Sequence, residues 1–235
     1  PNFDLKKRDP RKIKFIILHY TGMKNESHAI RKLTDINSKV SCHYFIKKNG
    51  EILTMVPDLY IAWHAGKSSW KNYTSLNKNS IGIEISNPGH NFKYRKFSKN
   101  QIESLVKLNK FLIKKYKIDI KNVLGHSDIA PERKKDPGEK FPWKFFSKKK
   151  ICFWHNLNQI KLRKIRGHKI SDIEQKIFIK NLLKIGYSEK LTKNSNLNKL
   201  LYYKMITKAF QRRFRQELIN GKIDRECFAI SKNLI

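Results

Sequence analysis

The stretch KFIILHY, residues 14–20, carries four apolar residues without a polar interruption, Phe15 to Leu18, and then a histidine. A short continuous apolar run of this kind marks a strand buried on both faces. Working outward, residues 26–36 place Ile30, Leu33 and Ile36 three apart, a weak helical pattern. HYFIKKNGEILTMV (43–56) predicts a β-hairpin joined across Asn49-Gly50, a pair that readily takes the positive φ angles of a tight turn. SIGIEIS (80–86) predicts another strand, in which Ile81, Ile83 and Ile85 alternate with Gly82 and Glu84. Ser98 opens a helix, with Gln101 three residues on as a capping box. Ile102, Leu105, Val106, Leu112, Ile113 and Tyr116 supply its apolar stripe. NVLGH (122–126) is a last short strand. Strands and helices thus interleave to about residue 146, which predicts an α/β layer structure.

The pattern changes at the lysine run 148–150. After a poorly patterned connector, residues 171–185 and 198–219 read as helices, and nothing reads as a strand. Ser171 followed by Glu174 is a second capping box. The expected organisation is an α/β domain over 1–147, a connector over 148–168 and a small all-α domain over 169–235.

Bulk properties narrow the classes. The chain has 235 residues, 39% of them hydrophobic and 11% aromatic, enough to bury a core and to exclude wholesale disorder. The net charge of +33 is diffuse: residues 1–150 hold 33 Lys+Arg against 13 Asp+Glu, and residues 151–235 hold 19 against 6. Such an excess attracts polyanions without focusing them, so no specific nucleic-acid partner is expected. Cys42, Cys152 and Cys227 are odd in number and widely spaced, which suggests neither a disulfide framework nor a zinc knuckle. No apolar run approaches the ~18 residues of a membrane span. The opening residues, PNFDLKKRDP, do not read as a signal peptide, and the compartment, cytoplasmic or envelope, stays open.

His19 ends the first buried strand and His126 ends the last, with Asp136 ten residues further on in a loop. Three ligands from two strand ends and one loop, with a position left for water, is the pattern of a catalytic zinc site. Each residue taken singly reads as an ordinary hydrogen-bonded group. Glu84 interrupts an apolar strand and points to the face opposite the isoleucines. If that face lines a cleft, Glu84 is a candidate general base. Lys134, two residues before Asp136, is placed to meet negative charge forming on a carbonyl oxygen.

Five blocks raise these readings above their separate weight. FIILHYTG, VSCHYFIKKNGEI, AWHAGKSSW, SIGIEISN and GHSDIAPERKKDPGEKFPW occur in the order found in the zinc N-acetylmuramoyl-L-alanine amidases. The chain resembles that family, which includes bacterial amidases, phage lysozyme-type amidases and the peptidoglycan recognition proteins, over roughly residues 10–146. The resemblance implies a mixed central sheet flanked by helices and one zinc ion held by His19, His126 and Asp136. It implies Glu84 as the catalytic carboxylate, Lys134 as the transition-state cation, and Trp63, His64 and Asn87 as substrate-groove residues. Some phage-type members use a tyrosine on the hairpin strand; the matching position here is Cys42, read as a small core residue, and Tyr44 is out of register. The tail segment AFQRRFRQELINGKIDRECFAI (209–230) is similar to the end of the three-helix peptidoglycan-binding domain behind many wall hydrolases. The bland alternative is a helix core stripe of Phe210, Phe214 and Leu218.

The expected reaction is hydrolysis of the amide between N-acetylmuramic acid, or its 1,6-anhydro form, and L-alanine, by a monomer acting on peptidoglycan or muropeptides. The rival reading is a non-catalytic peptidoglycan receptor on the same fold. Receptors of that kind lack part of the ligand set, and here the set is complete.

Overall fold

The computed structural model describes residues 2–189 and 198–235. Its centre is a five-stranded sheet of β2 (Phe15–Tyr20), β3 (Tyr44–Ile46), β4 (Ile52–Thr54), β8 (Ser80–Ile85) and β9 (Val123–Gly125), in the order β4-β3-β8-β2-β9. Two short pairs lie outside it: β1 (Phe3–Asp4) with β5 (Ile61–Ala62), and β6 (Ser69–Trp70) with β7 (Tyr73–Thr74). Four of the central strands run parallel and only β4 is antiparallel, so the sheet is mixed. The apolar run of β2 is its middle, buried from Phe15 to Leu18 between β8 and β9.

Strand alternation sorts the two faces. Ile16, Leu18, Ile81, Ile83, Ile85, Tyr44 and Ile46 form one core with Leu105, Leu108 and Leu112 of α2 (Lys99–Tyr116). The capping box that opens this helix is complete, with Ser98 and Gln101 bonded reciprocally. On the second face, α1 (Glu26–Thr34) packs Ala29 and Leu33 against Cys42 and Phe45 at the β3 side. Cys42 is a buried core residue, and the Tyr44 hydroxyl donates to Asp58 inside the α2 core.

At the β9 side the second face is covered by the C-terminal helices α6 (Asp172–Ile185), α7 (Lys199–Phe214) and α8 (Arg225–Asn233). Phe15, Ile17 and Leu124 of the sheet share one apolar cluster with Phe178, Leu182, Tyr202, Ile206, Phe210 and Ile230. The segment 148–168, read as a poorly patterned connector, holds a helix of its own, α5 (Gln159–Lys164). Two short helices precede it: α3 (His126–Ile129) and α4 (Trp143–Lys148). Among the described residues no strand follows Gly125.

Local details depart from the sequence reading at three places. In the hairpin turn only Gly50 has positive φ, at 93°, and Asn49 does not. Gly50 donates to the Lys47 carbonyl while Lys47 bonds Glu51, a turn with a glycine bulge in place of a two-residue loop. Helix α7 stops at Phe214, not 219. The reason is tertiary: the side-chain oxygen of Gln211 accepts from the Asn220 and Gly221 amides, and Arg215 turns inward onto Asp224. Leu218 therefore lies beyond the helix and is 36% exposed, off the stripe of Phe210 and Phe214. Finally, His126 is the first residue of one-turn helix α3 and not the last of a strand.

Candidate metal centre and active site

Parallel strands put the carboxyl ends of β2 and β8 side by side, and His19 pairs directly with Glu84. Cross-strand partners share a face, so both side chains leave the sheet on the side away from the α2 core. The β9–α3 turn brings His126 in beside them, and the following loop returns Asp136. Ser127 N–H donates to the Asp136 carbonyl at 2.8 Å and joins the two segments.

Three atoms converge. His19 Nδ1 lies 2.9 Å from His126 Nδ1, and each is 3.0 Å from Asp136 Oδ2. All three residues are buried. The outer ring nitrogens decide what those inner atoms carry. His126 Nε2 faces the Ala65 carbonyl at 3.2 Å, nearer than Arg133 Nη2 at 3.4 Å, and donating to that carbonyl leaves Nδ1 bare. Ser80 Oγ donates to the Leu76 carbonyl, so it accepts from His64 Nε2; His64 Nδ1 then accepts from His19 Nε2. His19 Nδ1 is bare as well.

Burial and the neighbouring His126 push the His19 imidazolium down to about 4, so the ring is neutral near pH 7. Burial alone would raise Asp136, but His126 and His19 outweigh it and hold the carboxyl well below its usual range. With these tautomers, two imidazole nitrogens and a carboxylate oxygen face one point. That donor set fits a divalent cation bound by nitrogen and oxygen, and zinc is bound by such ligands.

The site forms the floor of a cavity of about 350 Å³, lined by Glu84, His126 and Asp136 together with Lys32, Arg133 and Lys134. Glu84 Oε2 is buried without a hydrogen-bond partner. Burial, seconded by the Asp136 charge, pushes its pKa up to about 8, against the opposing pull of Lys134 and Lys32. The arrangement offers a group of side chains that could bind a metal, an unengaged carboxyl group and a cation in one cleft, the parts of a hydrolytic site.

The model of the N-acetylmuramoyl-L-alanine amidase family matches residues 9–139, more than half of the chain. The chain belongs to this family. The amidase is 34% identical to N-acetylmuramoyl-L-alanine amidase AmiD of Escherichia coli (strain K12), over 95% of this chain and 83% of the relative. It superposes on a complex of AmiD with the substrate anhydro-N-acetylmuramic acid-L-Ala-D-gamma-Glu-L-Lys with a TM-score of 0.82. That match covers 95% of this chain and 88% of the other at 33% identity. AmpDh3 of Pseudomonas aeruginosa, in complex with anhydromuramic pentapeptide, gives a TM-score of 0.80 at 28% identity, covering 97% and 92% of the two chains.

Of the residues singled out from sequence, the amidase brings His126, Asp136, Glu84 and Lys134 to one cavity, with Trp63 and His64 on its lining, and sets His19 directly behind it against His126 and Asp136. His64 stands behind His19 and fixes its tautomer. Asn87 lies off the cavity: its amide nitrogen donates to Arg95 O and its oxygen accepts from Gly89 N–H. Sequence reasoning missed a further layer, in which the Tyr20 hydroxyl meets His90 Nδ1 at 2.8 Å and Glu139 meets Nε2 at 3.0 Å. The Tyr94 ring stacks on His90, and its hydroxyl donates to Pro137 O beside Asp136. Three aromatic positions and a glutamate scattered over residues 20–139 leave no local signal.

Proposed function

We propose that this amidase hydrolyses the amide joining the lactyl group of N-acetylmuramic acid, or its 1,6-anhydro form, to L-alanine, with zinc held by His19, His126 and Asp136. The observation that carries the reading is the convergence of three bare ligand atoms beside an unengaged Glu84. A bound zinc ion supplies the Lewis acidity that makes water nucleophilic near neutral pH and polarises the scissile carbonyl. Glu84 takes a proton from the attacking water and delivers it to the departing amine. Its pKa, raised by burial in the metal-free site, would be drawn back down by the charge of a bound zinc ion, so that it can accept the proton and then give it up. Lys134, on the cavity wall, faces the oxyanion that forms on the carbonyl. Trp63 offers an aromatic wall to the substrate. Asn87 takes no direct part in this reading and instead ties down the strand-end loop.

The anhydro form, expected from sequence, is supported by the AmiD and AmpDh3 complexes, which hold anhydromuramic peptides. The organisation 1–147, 148–168 and 169–235 belongs to the same proposal, as does a monomeric state. It is supported by the family match ending at residue 139. Helices α6 to α8 would bind the wall polymer, supported by the similarity of residues 209–230 to wall-binding modules and by an open groove lined by Ile179, Leu183, Tyr203 and Ile223.

The test is mass spectrometry of products from purified sacculi and from anhydro-muropeptides, each with and without a chelator. Peptides with a free L-alanine amine should appear, stop with chelator and return with zinc. Binding to sacculi without release of any peptide would favour the receptor reading.

A further inference from the structure

Asp128 sits two residues past His126 on α3 and is 1% exposed. Its Oδ2 accepts from Gly125 N–H at 2.8 Å, closing the turn on which His126 stands. The same oxygen accepts from Arg213 Nη1 at 2.8 Å, and Oδ1 accepts from the Tyr187 hydroxyl at 2.9 Å. Arg213 continues to the Val123 carbonyl at 3.0 Å, on the strand that leads into His126, and its guanidinium lies 4.5 Å over the Trp143 ring.

Arg213 comes from α7 and Tyr187 from just past α6, both outside the residues that match the amidase family model. A buried ion pair is by itself weak evidence for stability, since apolar replacements are often neutral. This one, however, bonds the backbone at two points just before a ligand: the carboxylate, just after that ligand, accepts from Gly125 N–H, and the guanidinium donates to Val123 O. The Ser127 to Asp136 backbone bond carries any shift of α3 on to a second ligand.

We infer that Arg213 and Tyr187 are positioning residues for the metal centre: through Asp128, the C-terminal helices hold the turn that aims His126. The inference rests on the reading of His126 as a metal ligand. It makes the C-terminal helices part of the hydrolytic unit, whatever polymer they also bind.

The test measures how fast excess chelator strips zinc from the full chain, without substrate, for the native protein, Tyr187→Phe, Arg213→Lys and Phe178→Leu. Tyr187→Phe deletes one hydroxyl and keeps the ring, so it reports even if Arg213→Lys fails to fold. Phe178→Leu loosens the same helical core without removing a bond to Asp128. Release about 10–100-fold faster in Tyr187→Phe and Arg213→Lys, with native-like release in Phe178→Leu, is the expected result. Native-like release in Tyr187→Phe, or equally fast release in Phe178→Leu, would overturn it. A native chain that takes up no zinc overturns the metal-site reading first, before any variant is compared.

Discussion

Glu84 shows how much one position can depend on its neighbours. A glutamate alternating with isoleucines is by default a solvent-facing residue, and only the pairing with His19 turns that face into a site. Glu84→Gln keeps the shape and removes the base. We expect turnover of muropeptide to fall by about 10²–10⁴-fold, with zinc content by metal analysis unchanged; loss of zinc in this variant would make Glu84 a ligand. Gly82, two residues earlier on the same face, has a different duty. A Cβ built there would lie 2.3 Å from Cγ of the His64 ring, which leaves no room for the imidazole that orients His19. Gly82→Ala should therefore displace His64 and weaken zinc by about 10–100-fold in a chelator competition, although it touches no ligand. An unchanged zinc affinity would mean that His19 holds its tautomer without His64.

At the scale of elements, what could be read from sequence is what forms locally. Helix α2 begins at Ser98 because the Ser98–Gln101 box is self-contained, and the same holds for Ser171–Glu174 at α6. The Ser98 hydroxyl also donates to Lys48 O, fastening the hairpin turn to the helix start. Ser98→Ala should cost about 1 kcal/mol, seen as a Tm lower by roughly 2–4 °C. A change within error would show that the Gln101 half of the box suffices. Where an element ends because of a distant partner, sequence says little. The stop of α7 at Phe214 depends on Gln211 and Arg215 finding the 220–224 turn, and a helical periodicity simply runs on past it. The ligand set shows the same division: His19, His126 and Asp136 group as a zinc pattern from two strand ends and a loop, but each alone reads as an ordinary polar group, and the resemblance gives the grouping its weight. His64 and Asp128 act through contacts 45 and 85 residues away, which no spacing records.

The molecule as a whole carries buried histidines kept neutral amid an excess of cations, and that sets its response to acid. His43 accepts the Gly82 amide on Nδ1, so its Nε2 donates to Tyr60 O, while the Arg8 guanidinium lies 3.0 Å away. Burial, then Arg8, push its pKa down to about 3. His155 lies buried against Trp154, and burial, then Lys144, bring it to about 4. Both folded values lie below the ~6.5 of an unfolded histidine, so the unfolded chain binds these protons more tightly. The stability they contribute is whole above pH 6.5 and is lost as the pH falls toward 4. Carboxylates held low by their partners, such as Asp224 with the Cys227 amide and Arg215, act only below about 4 and cannot account for a decline that starts earlier. The shared apolar cluster joins the sheet to the C-terminal helices, so protonation of His155 at their border should be felt by the whole chain. Glu84, raised to about 8 in the metal-free site, works in the opposite sense, but His19 at about 4 adds to His43 and His155, and the histidines outnumber it. We expect the Tm of the metal-free protein to fall from pH 6.5 to 4, and His155→Phe to flatten that slope by about 2 kcal/mol or less, given partial access of water to the ring. A Tm constant over this interval would show that these rings do not govern acid stability, and a slope equally steep in His155→Phe would remove His155 from the account.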